Sequence, residues 1–123
     1  MAEHNELGKK GEELAQKYLV KKGYTVLATN WRYSKDEIDI IARTDNCLVV
    51  VEVKTRFSNA FGEPEEFVSN KKQSFLIRAA NAYVEKNSIT DEVRFDIISV
   101  LCHGSDWKIN HIEDAFYPSQ YNQ

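Results

Sequence analysis

Cysteine is scarce in this chain of 123 residues: Cys47 and Cys102 are its only two. They are too few and too distant to form a zinc ligand set or a disulfide framework, and each reads as a small apolar residue in a reducing compartment. Long hydrophobic runs are also missing. The N-terminal stretch MAEHNELGKKGEEL has no apolar signal segment, and no stretch reaches bilayer-spanning length, so the expected location is the cytoplasm without membrane attachment. A basic excess is lacking too. Sixteen Lys and Arg face nineteen Asp and Glu, giving a net charge of -3 and a pI near 5.6. That balance argues against a general nucleic-acid coat protein. There are no internal repeats or low-complexity tracts.

What is present suits a single domain over 1–123, with a core over about 7–112 and a loosely attached tail over 113–123. Charge is uneven along it. Residues 36–53 carry five acidic side chains against one basic, while 1–35 and 54–86 each carry a basic excess. The spacing predicts an amphipathic helix over 5–22, with Leu7, Gly11, Leu14, Ala15, Tyr18 and Leu19 on one side and Gly23 ending it. Gly8 and Gly11 inside that helix suggest close backbone approach or a frayed first turn. Glu12 lies at the edge of the apolar stripe, where a solvated surface role is the default. Tyr24–Asn30 reads as a strand and NWRYSKD as a turn, with Trp31 and Tyr33 packing in the core or over a sheet edge.

Glu37–Thr55, EIDIIARTDNCLVVVEVKT, is the centre of the chain. Two strands joined at Asp45-Asn46 pair residues whose numbers sum to 91, so Asp39 lies opposite Glu52 and Glu37 opposite Lys54. Alternation places these four on one face and Ile38, Ile40, Ala42, Val49, Val51 and Val53 on the other. Two carboxylates about 5 Å apart repel by roughly 3 kcal/mol at an effective dielectric near 20. A positive group belongs between them. Glu37, Asp39 and Glu52 outnumber Lys54, and clustered hard oxygen ligands suit Mg2+ or Mn2+. The competing arrangement is an ion-pair ladder, Glu37 with Lys54 and Asp39 with Arg43 or Arg56, which is energetically cheap.

Arg56–Pro64 reads as a loop, and a helix follows to Asn87 with a break at Ser69-Asn70, where either residue can cap the longer part. Leu76, Ala79, Ala80, Tyr83 and Val84 form its buried stripe. Lys72 and Gln73 lie towards the sheet end, although a lysine snorkelling along its own helix has the same pattern. Val93–Leu101 is a strand, parallel to the third strand through a crossover, and Asp106–Ile112 is a short last strand.

The blocks GKKGEELAQKYL, NWRY, EIDIIA, VVVEVKTR, KKQSFLIRAANAY and VRFDIISV resemble those of the YraN-like family of uncharacterised bacterial proteins. Asp39 followed by Glu52-Val53-Lys54 on the adjacent strand resembles the core of the PD-(D/E)xK nuclease superfamily. The resemblance implies an α/β, restriction-endonuclease-like fold, a mixed sheet flanked by helices in the order α-β-β-β-α-β(-β). It also implies that Asp39 and Glu52 ligate a divalent metal and that Lys54 positions or activates water. Glu12 is then the acidic residue from the first helix, as in archaeal Holliday-junction resolvases. Lys72 and Gln73, with Arg56 and Arg32, are the substrate-binding candidates, and Glu37 is the third candidate metal ligand. Ile38-Asp39 replaces the Pro-Asp of the superfamily's name, and Asp36 stands where family members often have Gly. The expected activity is metal-dependent hydrolysis of nucleic acid, DNA foremost, on branched or damaged substrates, with a homodimer compatible with symmetric junctions. The alternative from a different class is a catalytically silent nucleic-acid or protein-binding module on the same scaffold, which the acidic pI favours.

Overall fold

The structure is a computed structural model that describes residues 2–57 and 68–117, with the side chains of 2–5 set aside. Its elements are α1 (Ala2–Lys21), β1 (Thr25–Tyr33), β2 (Asp36–Thr44), β3 (Cys47–Phe57), α2 (Asn70–Lys86), β4 (Glu92–His103) and β5 (Asp106–Phe116). This is the expected α-β-β-β-α-β-β order. The strands form one sheet in sequence order: antiparallel through β1, β2 and β3, parallel between β3 and β4, and antiparallel again to β5.

Local chemistry sets the joints. Gly23, at φ 97°, ends α1 in a backbone region open to glycine. Asp45 and Asn46, at φ 46° and 64°, make the two-residue turn whose twist matches a hairpin, and the β2–β3 ladder from Thr44↔Cys47 to Ile40↔Val51 keeps the sum of 91. Ser69 caps α2, its hydroxyl accepting from the Lys72 amide at 3.2 Å. Two boundaries differ from expectation. NWRY continues β1 rather than forming a turn, because the reversal falls at Ser34-Lys35, where Ser34 adopts φ 60°. β5 runs to Phe116, which is buried and stacks on Phe95 with ring centroids 4.9 Å apart. Burial of that ring anchors residues 113–116 where a loose tail was expected. Arg56 and Phe57 likewise belong to β3, not to a loop, and the expected turn and helix start at Gly62 and Pro64 lie outside the described residues.

Helices cover both faces of the sheet. On one side Ala15 and Leu19 of α1 pack on Ile40, Ala42, Val49, Val51, Ile98 and Val100. On the other, Leu76, Ile77, Ala79, Ala80 and Tyr83 of α2 pack on Ile38, Ile41, Leu48, Val50, Phe95 and Ile97. Near-continuous apolar runs in β3 and β4 follow from this double coverage. Gly11 lets α1 approach β3: a Cβ there would fall inside contact distance of Thr55 Oγ1, Cγ2 and Cβ, whereas one at Gly8 would meet open space. The close-approach reading therefore applies to Gly11 alone. Trp31 and Tyr33 stack on one another and reach α2, Trp31 edge-on to Tyr83 and Tyr33 against Phe75, so both pack rather than dangle.

A buried polar network closes the other end of the α1 face. Asp96 is 1% exposed. It accepts from Arg94 Nε and Nη2 at 2.9 Å each, from the Asp114 amide at 3.1 Å where β5 bulges, and lies 2.8 Å from His111 Nε2. His111 Nδ1 is 3.0 Å from the Tyr18 hydroxyl, and Arg94 donates to the Tyr24 hydroxyl at 2.8 Å. Burial pushes the Asp96 carboxyl up, but the bonds from His111, Arg94 and Asp114 outweigh it and hold the group below the usual range. Its stabilisation is therefore present above the unfolded carboxyl pKa and lost as pH falls through the lower folded value. Asp96→Ala leaves Arg94 without its buried partner and is expected to cost about 3–5 kcal/mol, measured as a loss of urea midpoint at neutral pH. Gly11→Ala is expected to lower stability by about 1–3 kcal/mol through overpacking against Thr55, checked in the same titration.

Candidate metal centre

Strand alternation breaks at one place shared by β1 and β2. Trp31↔Ile38 face α2, while Ile40, two residues from Ile38, faces α1. The residues that absorb the reversal are Asn30, at φ 49°, and Asp39 opposite it. Asparagine tolerates this left-handed backbone better than a branched residue would. The same reversal corrects the expectation that Ile38 shares a face with Ile40. It also means that chemistry does not occupy one whole face, since helices cover both; it gathers where the β2–β3 ladder ends.

Beyond Ile40↔Val51, Asp39 takes over the role of a strand acceptor: its Oδ2 accepts the Val53 amide at 2.8 Å. Glu52 immediately precedes that amide, so the two carboxyl groups are held together by the backbone itself. Both are half-buried. Burial, then the Glu52 charge, pushes the Asp39 carboxyl up to about 8, with the Glu12 charge adding to the rise against the Val53 hydrogen bond and Lys72. Burial also raises Glu52, with Lys72 and Lys54 opposing it. The expected juxtaposition of Asp39 and Glu52 is thus realised.

Of the remaining candidates, Lys54, Lys72 and Glu12 act on this pair. Lys54 follows Glu52 by one full strand repeat and its charge acts on that carboxyl. Lys72, 25% exposed at its side chain, donates to Asp36 Oδ2 at 2.9 Å and acts on both Glu52 and Asp39. Lys72 holds Asp36 below the usual carboxylate range, so the acidic residue at 36 is ionised and paired, and its charge adds to the rise of Glu52. Gln73 is buried, donates to the Val68 carbonyl at 2.8 Å, and keeps its Oε1 without a partner. Glu12 reaches the site through Asn30, whose Nδ2 donates to Glu12 Oε1 at 3.0 Å. Glu37 is placed elsewhere: it pairs across β1 with Arg32 at 3.4 Å, both exposed, and is absent from the charges acting on Asp39 or Glu52. The ladder stops before Glu37 could lie opposite Lys54. Arg56 is half-buried within β3, in register with Leu101.

Sequence reasoning did not single out Asn30. Its signal is an Asn between two apolar-facing strand positions, a residue type that accepts φ > 0. The Arg43 rung of the expected ion-pair ladder is not realised, because Arg43 turns to Asp91 at 2.7 Å.

Among the described residues no three His, Cys, Asp or Glu side chains converge as a ligand set. The donor chemistry present is two carboxyls, with Glu52 Oε1 buried and without a hydrogen-bond partner. Mg2+ commonly keeps several waters and binds through one or two carboxylates, so this pair fits it. A buried acceptor left unpaired costs stability unless a cation or donor arrives.

Residues 11–100 match the uncharacterised protein family UPF0102. The chain is 55% identical to a UPF0102 protein of Flavobacterium psychrophilum, over 95% of this chain and 98% of that protein. It is 53% identical to one from Christiangramia forsetii, with the same coverage, and 49% identical to one from Phocaeicola vulgatus over 96% and 98%. The family resemblance carried by the sequence blocks is borne out, as is the α/β architecture that it implied.

A raised carboxyl predicts a specific pH response of the metal-free protein. Above the ordinary value of 3.8 the unfolded chain releases the Asp39 proton that the fold retains up to about 8. The stability from this group is therefore full below the unfolded pKa and declines as pH rises through the folded one. Asp39→Asn is expected to flatten that decline and raise the melting temperature near pH 8 by several degrees, about 1 kcal/mol, in EDTA-treated samples. A lower melting temperature than wild type across the range would remove Asp39 from an uncompensated pair.

Proposed function

The chain belongs to the UPF0102 family, and from that premise and the half-buried Asp39–Glu52 pair we propose that it is a divalent-metal-dependent nuclease hydrolysing phosphodiester bonds in DNA. The observation that carries this reading is the uncompensated carboxyl pair. Two half-buried acids held side by side, one raised to about 8 and one with a buried oxygen lacking any hydrogen-bond partner, are a poor structural device and a good cation receptor. Perturbed carboxyls of this kind cluster at functional sites.

Asp39 and Glu52 would hold Mg2+ or Mn2+, which when bound supplies positive charge to the phosphorane-like transition state and a nucleophile from water at neutral pH. Lys54 stands one strand repeat from Glu52, where its ammonium can hold the attacking water or an oxygen of the scissile phosphate. Lys72, anchored by Asp36, places a second positive charge on the same side of Glu52. Asn30 fixes Glu12 at the other side of Asp39, where a carboxylate can orient water or take its proton. Branched or damaged DNA in repair or recombination is the substrate class that accords with the superfamily resemblance. A two-fold dimer would suit a symmetric junction.

The test is cleavage of labelled duplex, single-stranded, flap and four-way-junction DNA, and of an RNA strand, with Mg2+ or Mn2+. Wild type is expected to cut, and Asp39→Asn with Glu52→Gln to abolish both cutting and metal binding. Lys54→Ala is expected to retain metal affinity and to lower the rate by about two to three orders of magnitude, on the scale of other electrostatic transition-state donors. Full activity in that variant would exclude Lys54 from the mechanism. Metal binding by wild type without cutting of any substrate would favour a silent binding module.

A further inference from the structure

A cavity of about 590 Å³ opens where the β1–β2 turn faces the start of α2. Its walls combine two kinds of group. Tyr33 and Phe75 form an aromatic wall, their centroids 6.0 Å apart and their planes tilted by 49°. Lys35, Lys71, Lys72 and Arg78 surround it, against Asp36 as the acidic lining residue among the described residues. Asp36 is already engaged by Lys72, whose ammonium also lies 5.1 Å from the Phe75 ring centroid. Among the described residues the rim is therefore net positive, in a protein whose total charge is -3. Aromatic faces beside dispersed cations are the pairing that takes a nucleobase and its phosphates.

Lys72 is a wall of this cavity and a charge acting on Glu52 and Asp39, so cavity and carboxyl pair are adjoining compartments. We propose that the cavity receives one unpaired nucleotide of the strand that is bound at the carboxyl pair, its base against the Tyr33–Phe75 wall and its phosphates on Lys35, Lys71 and Arg78. This rests on the nuclease reading and narrows it to DNA with a single-stranded segment beside the scissile phosphate. Paired bases are stacked on their neighbours and offer no face to such a wall; an unpaired base does. The volume also falls within the range of pockets for small ligands, about 300–1,000 Å³, and cannot admit a duplex.

The experiment is fluorescence anisotropy in EDTA, so that binding is read without cleavage. Labelled duplexes that are blunt or carry a short single-stranded overhang are compared for wild type, Lys71→Glu, Arg78→Glu and Phe75→Leu, with Lys17→Glu on the exposed side of α1 as the charge control. Melting curves verify folding, and the exposed Lys71 and Arg78 variants keep the test valid should Phe75→Leu destabilise the domain. Wild type is expected to prefer the overhang by about tenfold, the scale of one stacked base. The three cavity variants should lose that preference, while Lys17→Glu retains it. Equal loss on blunt and overhang DNA would reduce the cavity lysines to general phosphate contacts and overturn the proposal. So would tight binding of free dAMP that displaces no overhang DNA, since the occupant would then be a soluble nucleotide. Metal-dependent cutting without overhang preference would sink the cavity assignment alone; overhang preference without cutting by any metal would sink the nuclease reading alone.

Discussion

The domain is organised around two acids that the backbone forces together. Asp39 Oδ2 stands in the ladder in place of a strand carbonyl, accepting from the Val53 amide, and Glu52 is the residue before that amide. Neither acid can move away without breaking β3. Burial by the two flanking helices then makes their common ionisation costly, so one proton remains in the pair where an ordinary carboxyl would have lost it. Gly11 contributes from a distance, because only a residue without Cβ lets α1 seat on Thr55 and bring Glu12 to Asn30.

A comparison within the molecule sharpens the point. Asp39 and Asp96 both lie where regular pairing is interrupted, and each accepts a backbone amide from a neighbouring strand. Their carboxyls move in opposite directions. Asp96 has Arg94 on both oxygens and His111 at 2.8 Å, and stays ionised. Asp39 has another acid beside it and goes up to about 8. Asp96 is the more buried of the two and yet the one held low, so the partners decide the direction. A compensated carboxylate ties α1, β1, β4 and β5 together, whereas the uncompensated pair retains unspent affinity for a cation.

Much of this was legible in the sequence because it follows from period and register. Asp45-Asn46 sets a two-residue turn, the turn sets the sum of 91, and the sum brings Asp39 to Glu52. Ser69 as cap, the α2 stripe and the parallel β3–β4 pair are legible for the same reason. The failures share a cause as well. A period-two reading carries no mark of the reversal at Asn30 and Asp39, so it kept Ile38 beside Ile40 and extended the ladder to Glu37 and Lys54. It equally gave no sign that β5 bulges at Asp114, at φ 54°, and returns Phe116 to the core. Asn30 was invisible as a site residue, since its role depends on Glu12 from a helix eighteen positions earlier.

The acidic composition is compatible with the proposed polyanionic substrate because charges act over a limited distance. At physiological ionic strength a charge is largely screened beyond about 8 Å. Asp91 and Glu92 lie at the hairpin end of the sheet, with Glu92 in register with Cys47, five residues from Glu52 along β3 and hence about 17 Å away at strand rise. Asp91 is moreover paired with Arg43. At the site end the described residues differ: Lys54 and Lys72 act on Glu52, while Lys35, Lys71 and Arg78 line the adjoining cavity, with Asp36 paired to Lys72. Attraction for phosphate is a property of that neighbourhood and not of the chain's total. On the proposed function, a net charge of -3 would act against indiscriminate adhesion to duplex DNA and leave recognition to the end of the sheet where the described cations and aromatic rings line the cavity.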